Sequence, residues 1–406
     1  MLLWVVSYFM RAALESNIWK YTLFLVTNKR VFAAIVGAYY LTVPGVTPFW
    51  IGVFLLAGNA ATFFFDIPSS YIADKIGHKE ALALSRVSMI ISSLAFIFAG
   101  NIYWLIVASV FLSIGFAFVS GVGNVFMHET LRALGRESEY RTVMGRVSSI
   151  GFFIPAVMAV AIPFLVSISY TIPFAIGLGL DVLGLVVALS FVRPAVPLER
   201  VAEQIDANIV EVIRQGRALR FFRIAIFSGL ISAIMFGFDG FRAPYQVFLG
   251  VPVIWFGVFF GTGRMLAALM LAYSGKLHKL IGDVYSYQRI QIIVYGILLL
   301  VAGIVADPWV VVTVFIIDNA LKWGTSQVDT GYLLDIIREN RFKATLLSMS
   351  NQLENLFNMI VVGVVGFSIS IFGYQPSFLG LAGVFFLVMV PAYFYTTHAR
   401  VVYATK

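Results

Sequence analysis

Apolar runs of about 20 residues alternate with short polar or Pro/Gly-rich gaps along almost the whole chain, the pattern of helices that cross a bilayer. Twelve runs are marked off, near 20–43, 49–73, 81–100, 102–130, 144–166, 172–192, 222–248, 254–275, 290–306, 310–334, 344–372 and 377–397. The longest gap, 193–221, lies at the middle. Within it, Glu203 to Arg220 sets apolar Ile205, Ile209, Val212, Ile213 and Leu219 against basic Arg214, Arg217 and Arg220, which predicts an amphipathic helix on the membrane surface. The expected fold is an all-α membrane protein, with twelve transmembrane helices in two six-helix bundles, 20–192 and 222–397. A linker at 193–221 joins them and a tail follows at 398–406. Residues 1–19 read as an interfacial segment: Met1 to Met10 is apolar but short, Arg11 and Glu15 follow, and there is no basic lead or cleavage site of a signal peptide.

Composition agrees with this reading. The chain is 60% hydrophobic and 12% charged, too little charge to cover a soluble surface of this size. Its net charge of +8 does not point to nucleic acid, because the basic residues sit in the gaps between apolar runs. Of the 28 Lys and Arg residues, all but Lys29, Arg30, Arg242, Arg264 and Lys322 fall at the termini or in the gaps after even-numbered runs, a set in which Arg86 is counted. The alternate gaps hold none, so the positive-inside rule puts both termini in the cytoplasm; the expected location is the plasma membrane. With no cysteine, neither disulfides nor thiolate chemistry is expected.

The second half echoes the first. Trp50-Ile-Gly-Val-Phe54 recurs as Trp255-Phe-Gly-Val-Phe259, and at the same spacing Gly58, Ser69, Ile76-Gly77 and Tyr40 meet Gly263, Ser274, Ile281-Gly282 and Tyr245. Two parallel repeats imply a pseudo-two-fold axis along the membrane normal.

The turn after the second run carries the most specific motif. Ser70-Tyr-Ile-Ala-Asp74-Lys75-Ile-Gly77-His78-Lys79 resembles the hallmark of the major facilitator superfamily between helices 2 and 3, a small residue followed by Asp-Arg-x-Gly-Arg-Arg/Lys. Asp66-Ile67-Pro68-Ser69 is similar to the acidic-x-Pro lead-in of one bacterial subgroup. Glu129 to Tyr140 with Gly145-Arg146, and Lys343-Ala-Thr-Leu-Leu-Ser348, also resemble that subgroup. Lys75, His78 and Ser70 depart from the usual Arg, Arg and Gly, and Gly151-Phe-Phe-Ile-Pro155 does not meet the signature of proton-coupled drug antiporters. The resemblance implies the superfamily fold and transport by alternating access. It also implies that Asp74, near Thr345 at the start of helix 11, forms a conformational latch with Lys75, Gly77 and Lys79.

Ionisable groups inside hydrocarbon need a reason. The five basic residues left over share their depth with Asp66, Asp181, Asp239, Asp318, Asp329 and Glu354. Asp318 and Lys322 stand four apart and Asp239 and Arg242 three apart, spacings that suit ion pairs on one helix face. Arg30 has no acid within a turn and needs a partner or substrate across the bundle. Arg264 stands at the repeat position of Asn59. Asn351, Glu354, Asn355 and Asn358 share a face that lipid would not tolerate. The candidate pathway is therefore Arg30, Asn59, Asp66, Asp239, Arg242, Arg264, Asp318, Lys322 and Glu354, with His128-Glu129 as an interfacial gate pair. No catalytic, nucleotide or metal constellation is visible, so an enzyme, a metal site and a cofactor are not expected. The expected function is secondary active transport of a small solute, with proton coupling through Asp66, Asp239 or Glu354 as an extension, by a monomer that binds no nucleic acid. The alternative is a membrane receptor or scaffold that keeps the fold without transport.

Overall fold

The computed structural model describes residues 2–28, 30–120, 122–194, 209–337 and 340–398. In chain order the α-helices are α1 (Leu2–Asn28), α2 (Val36–Tyr40), α3 (Pro48–Ile76), α4 (His78–Ile97), α5 (Ile102–Val119), α6 (Val122–Ala133), α7 (Tyr140–Ala161), α8 (Thr171–Leu189) and α9 (Ile209–Ala218). They continue as α10 (Phe221–Gly240), α11 (Arg242–Phe248), α12 (Phe256–Ala272), α13 (Ser274–Ile281), α14 (Val284–Ile304), α15 (Pro308–Gly324), α16 (Ser326–Ile336), α17 (Asn340–Phe372) and α18 (Tyr374–Thr397). No strand occurs among the described residues.

Among the described residues nine helical segments are long and apolar enough to cross a membrane. The three expected spans without such a segment are broken or short. The first is interrupted between Asn28 and Val36, the fifth passes from α7 into a 3-10 segment at Ile162–Ser167, and the tenth ends at Gly324 after 17 residues. The amphipathic linker helix is present as α9; the earlier part of Glu203 to Arg220 lies outside the described residues.

The chain forms two compact units. The first comprises residues 1–36, 43–45 and 60–200, the second 37–42, 46–59 and 201–406. In the first, α4 packs on α5 and α8, and α1 on α7 and α8, around Tyr21, Phe24, Phe118, Phe126, Met127 and Phe191. Small polar residues knit these helices together: the Ser92 hydroxyl donates to the Ala108 carbonyl at 2.7 Å, and Ser69 donates to Ala117 at 3.0 Å. Such bonds replace the hydrophobic drive that lipid does not supply. In the second unit α10 packs on α17 and α18, α12 on α15, and α14 on α18. There Gly52 of α3 meets Gly366 of α17 backbone to backbone; a Cβ on Gly366 would come within 2.8 Å of the Gly52 Cα.

The local geometry repeats as the sequence does. Gly77 (φ +105°) separates α3 from α4, and Gly282 (φ +84°) stands at the same place before α14. Only glycine adopts these angles without strain. Gly45 (φ +78°) and Gly250 (φ +79°) form a second matched pair, 205 residues apart like the first. Asn101 caps α5 by accepting from the amides of Tyr103 and Trp104, and Asp307 caps α15 by accepting from those of Trp309 and Val310.

Candidate functional site

The polar turn expected between Asp74 and Lys79 is a single residue. Asp74 and Lys75 occupy the last turn of α3, His78 and Lys79 the first turn of α4, and Gly77 alone lies between. His78 bridges two acids: its Nδ1 lies 2.8 Å from Glu129 of α6 and its Nε2 3.6 Å from Asp74. The Asp74 carboxylate stays 71% exposed, and Lys75 lies over the Tyr71 ring. Glu129 is thus held by His78, and neighbouring His128 turns instead to Glu137 at 3.2 Å, so the two residues read as a gate pair have separate partners.

Inside the first unit the charges form one closed network. Arg30, in the break after α1, makes a two-pronged pair with Asp181 of α8 at 2.6 and 2.7 Å, and Ser93 of α4 donates to the same carboxylate at 2.7 Å. Arg86 of α4 lies 3.7 Å from Asp181 and donates to the carbonyls of Phe24 and Thr27, which end α1. Its guanidinium stacks on the Phe24 ring at 4.0 Å. Arg86 is completely buried, which corrects its assignment to a cytoplasmic gap. Counting basic residues near a boundary cannot separate a loop from the third turn of a helix that begins at His78. These contacts turn two cations onto one carboxylate and onto backbone carbonyls, an arrangement that pins the end of α1 to α4 and α8.

The second unit holds an open arrangement. Arg242 pairs with Asp239 at 2.8 Å, as the spacing suggests. Lys322 reaches the same Asp239 at 3.6 Å, although Asp318 stands one turn away on its own helix. Both Asp318 oxygens lack a hydrogen-bond partner among the described residues, and the side chain is fully buried. Arg264 lies over the Trp323 ring at 4.0 Å, and Arg264 and Arg242 both approach Phe260.

Next to this cluster is a cavity of about 270 Å³. Lys322, Trp323, Tyr295, Asp329 and Glu354 line it, with Ser228, Ser232, Gln291 and Asn351 among its smaller polar groups. Ser232 donates to Glu354 at 2.5 Å, and Gln291 donates to Asp329 at 3.2 Å. The cavity presents two carboxylates, an ammonium, hydroxyls and two aromatic rings, a set chemically able to hydrogen-bond polar groups and to stack on flat ones. Asn351 and Glu354 of the polar stripe on α17 face this cavity, and Asn358 is buried farther along.

Of the sequence-predicted pathway residues, the structure therefore gathers Asp239, Arg242, Lys322 and Arg264 around Trp323 and Phe260, with Glu354 in the adjoining cavity. Arg30 belongs to the closed network of the first unit. Asn59 donates to the carbonyl of Leu55 on its own helix, and the Asp66 carbonyl accepts from the hydroxyls of Ser69 and Ser70. Asp329, Gln291 and Tyr295 also line the cavity and were not among the sequence-predicted pathway residues; Gln291, at the start of the apolar stretch of α14, was the available signal.

The profile of the Major Facilitator Superfamily matches residues 18–328. Among solved structures, a variant of the nucleoside transporter NupG superposes with a TM-score of 0.76 at 15% identity, covering 95% of this chain and 99% of that one. A bacterial homolog of the human lysosomal transporter Spinster, inward-facing and unoccupied, gives 0.74 at 14% identity over 95% and 96%. A POT family transporter in complex with a thioalcohol-conjugated peptide gives 0.68 at 14% over 93% and 94%. No curated protein sequence matches the chain. The apolar helices make it an integral membrane protein, and the match over most of its length shows that it belongs to the Major Facilitator Superfamily.

Proposed function

We propose that the protein is a secondary active transporter that moves a small polar solute across the plasma membrane by alternating access, using the cavity lined by Lys322, Trp323, Tyr295, Asp329 and Glu354. The observation that carries this reading is a charged and aromatic cavity enclosed by helices of a superfamily of transporters. Hydrocarbon does not tolerate such groups without a use for them. Two carboxylates opposite one ammonium favour a solute that offers amino or hydroxyl groups and a flat ring for Trp323. Twelve spans, six per repeat, with both termini in the cytoplasm, complete the reading; the charge distribution of the loops and the paired Gly77 and Gly282 turns support it. The lead-in Asp66-Ile67-Pro68-Ser69 resembles that of one bacterial subgroup of the family, which supports membership of that subgroup as part of the proposal, together with action as a monomer. Asp74, Lys75, Gly77 and Lys79 serve as the latch that sets which side is open.

The test is uptake by purified protein in liposomes, under a pH gradient, across a panel of labelled nucleosides, peptides, sugars and amines. The named ligands of the structural neighbours supply its first members. Saturable uptake of one class, lost in Glu354→Gln, supports the reading. A ligand that raises the unfolding temperature through the cavity but is never moved would show a receptor instead.

A further inference from the structure

We propose that Asp318 is the residue that takes up a coupling proton, and that Lys322 reports its loss to the cavity by leaving Asp239 for Asp318. The proposal rests on the transport reading for its purpose, but its test does not.

The case begins with an unsatisfied group. Asp318 is completely buried in α15, and neither carboxylate oxygen accepts a hydrogen bond among the described residues. An ionised carboxylate in that setting loses its hydration without gaining a hydrogen bond in return. A proton removes the charge.

The surroundings make the protonated form a switch. The charged and titratable groups around Asp318 are Lys322 on its own helix, Asp239 at the end of α10, Arg242 on α11 and Tyr295 on α14. Arg264 of α12 is turned onto Trp323, and Asp329 of α16 is held by Gln291 and Thr325. Asp239 alone serves both Arg242 and Lys322, at 2.8 and 3.6 Å. Of the two cations paired with Asp239, one is in surplus while Asp318 is neutral, and Arg264, turned onto Trp323, adds a third positive charge that also acts on Asp239. An ionised Asp318 would take that surplus cation, and Lys322, one helical turn away, has the reach to supply it. Lys322 also lines the large cavity, so its transfer from Asp239 to Asp318 changes the charge that a bound solute meets. Binding of solute and loss of the proton are thereby linked through one ammonium group.

The experiment is infrared spectroscopy of the full chain in liposomes at fixed neutral pH, reading the stretching band of protonated carboxyl groups. The wild-type spectrum is expected to contain a component that is absent in Asp318→Asn. Asp239→Asn, which frees Lys322 for Asp318, should cut that component by half or more, and Lys322→Gln should leave it in place. An identical band in wild type and Asp318→Asn overturns the proposal. Should Asp318→Asn fail to fold, the other two variants decide, because a purely structural aspartate would show no response to Asp239→Asn. Exchanging choline chloride for sodium chloride at constant pH separates the possible cations: loss of the band in sodium would assign the site to a metal ion and refute the proton. A band that behaves as stated in a protein that moves no solute would sink the transport reading alone. Gradient-driven uptake with an Asp318-independent band would sink this proposal alone.

Discussion

Replacing Asp181 by Asn tests the closed network of the first unit. The change keeps the shape of the side chain and removes its charge. It leaves Arg30, 7% exposed, and Arg86, fully buried, facing a neutral amide. Breaking a buried ion pair by neutralising one partner costs about 3–5 kcal/mol, because the other charge stays buried. The amide oxygen still accepts from Arg30 or Ser93, which recovers about 1 kcal/mol. The expected loss is therefore about 2–4 kcal/mol, a large part of the roughly 5–15 kcal/mol that holds a typical protein folded. Titration with denaturing detergent, followed by helical circular dichroism, measures it. The double variant Asp181→Asn with Arg30→Gln should cost less than the sum of the single changes, by on the order of 1–3 kcal/mol, since each removes a partner of the other. A single-variant loss below about 1 kcal/mol, or strict additivity, would refute a network held by charge.

Three further outcomes follow from the packing. Gly77→Ala places a Cβ at a φ of +105°, within 2.5 Å of the Glu80 carboxylate, and should cost about 1–3 kcal/mol in the same denaturation assay; a neutral result would mean that the turn relaxes freely. Asp74→Asn touches an exposed pair and should change stability by less than about 1 kcal/mol. It should nonetheless alter the rate at which cavity positions change sides, as read by cysteine labelling; an unchanged rate would remove Asp74 from the latch. Tyr245→Phe removes a buried hydroxyl that donates to the Ala302 carbonyl at 3.1 Å, and thermal unfolding should show a loss of about 1 kcal/mol.

The fold was legible wherever the constraint was local. A chain in lipid must bond its own backbone, so long apolar runs announce helices, and a repeated Trp-x-Gly-Val-Phe announces a repeated unit. Gly77 and Gly282 were readable as turns, because a connection of only one or two residues between helices favours a positive φ. The matching Gly45 and Gly250 escaped notice, although Gly45-Val46 and Gly250-Val251 stand five residues before the repeated Trp50 and Trp255. The site was less legible because its pairs are made in space. Arg30 and Asp181 are 151 residues apart, and nothing in the apolar α8 names the partner of its one acid. Lys322 follows Asp318 by four residues, yet the structure turns it to Asp239 on another helix, a choice that spacing cannot foresee. Arg86 looked like a loop cation; the run of Ser85, Ser88, Ser92 and Ser93 around it, all buried, was the available sign that this face of α4 looks inward.

The central claim is that the cavity opens to each side of the membrane in turn, and the absence of any native cysteine makes it directly measurable. Single cysteines at Ser232 and Asn351, in protein reconstituted with one orientation, are labelled with a membrane-impermeant maleimide from one face and then the other. Alternating access predicts labelling from both faces, with a transported solute shifting the balance between them. Labelling from one face only, at both positions and with or without solute, would contradict it.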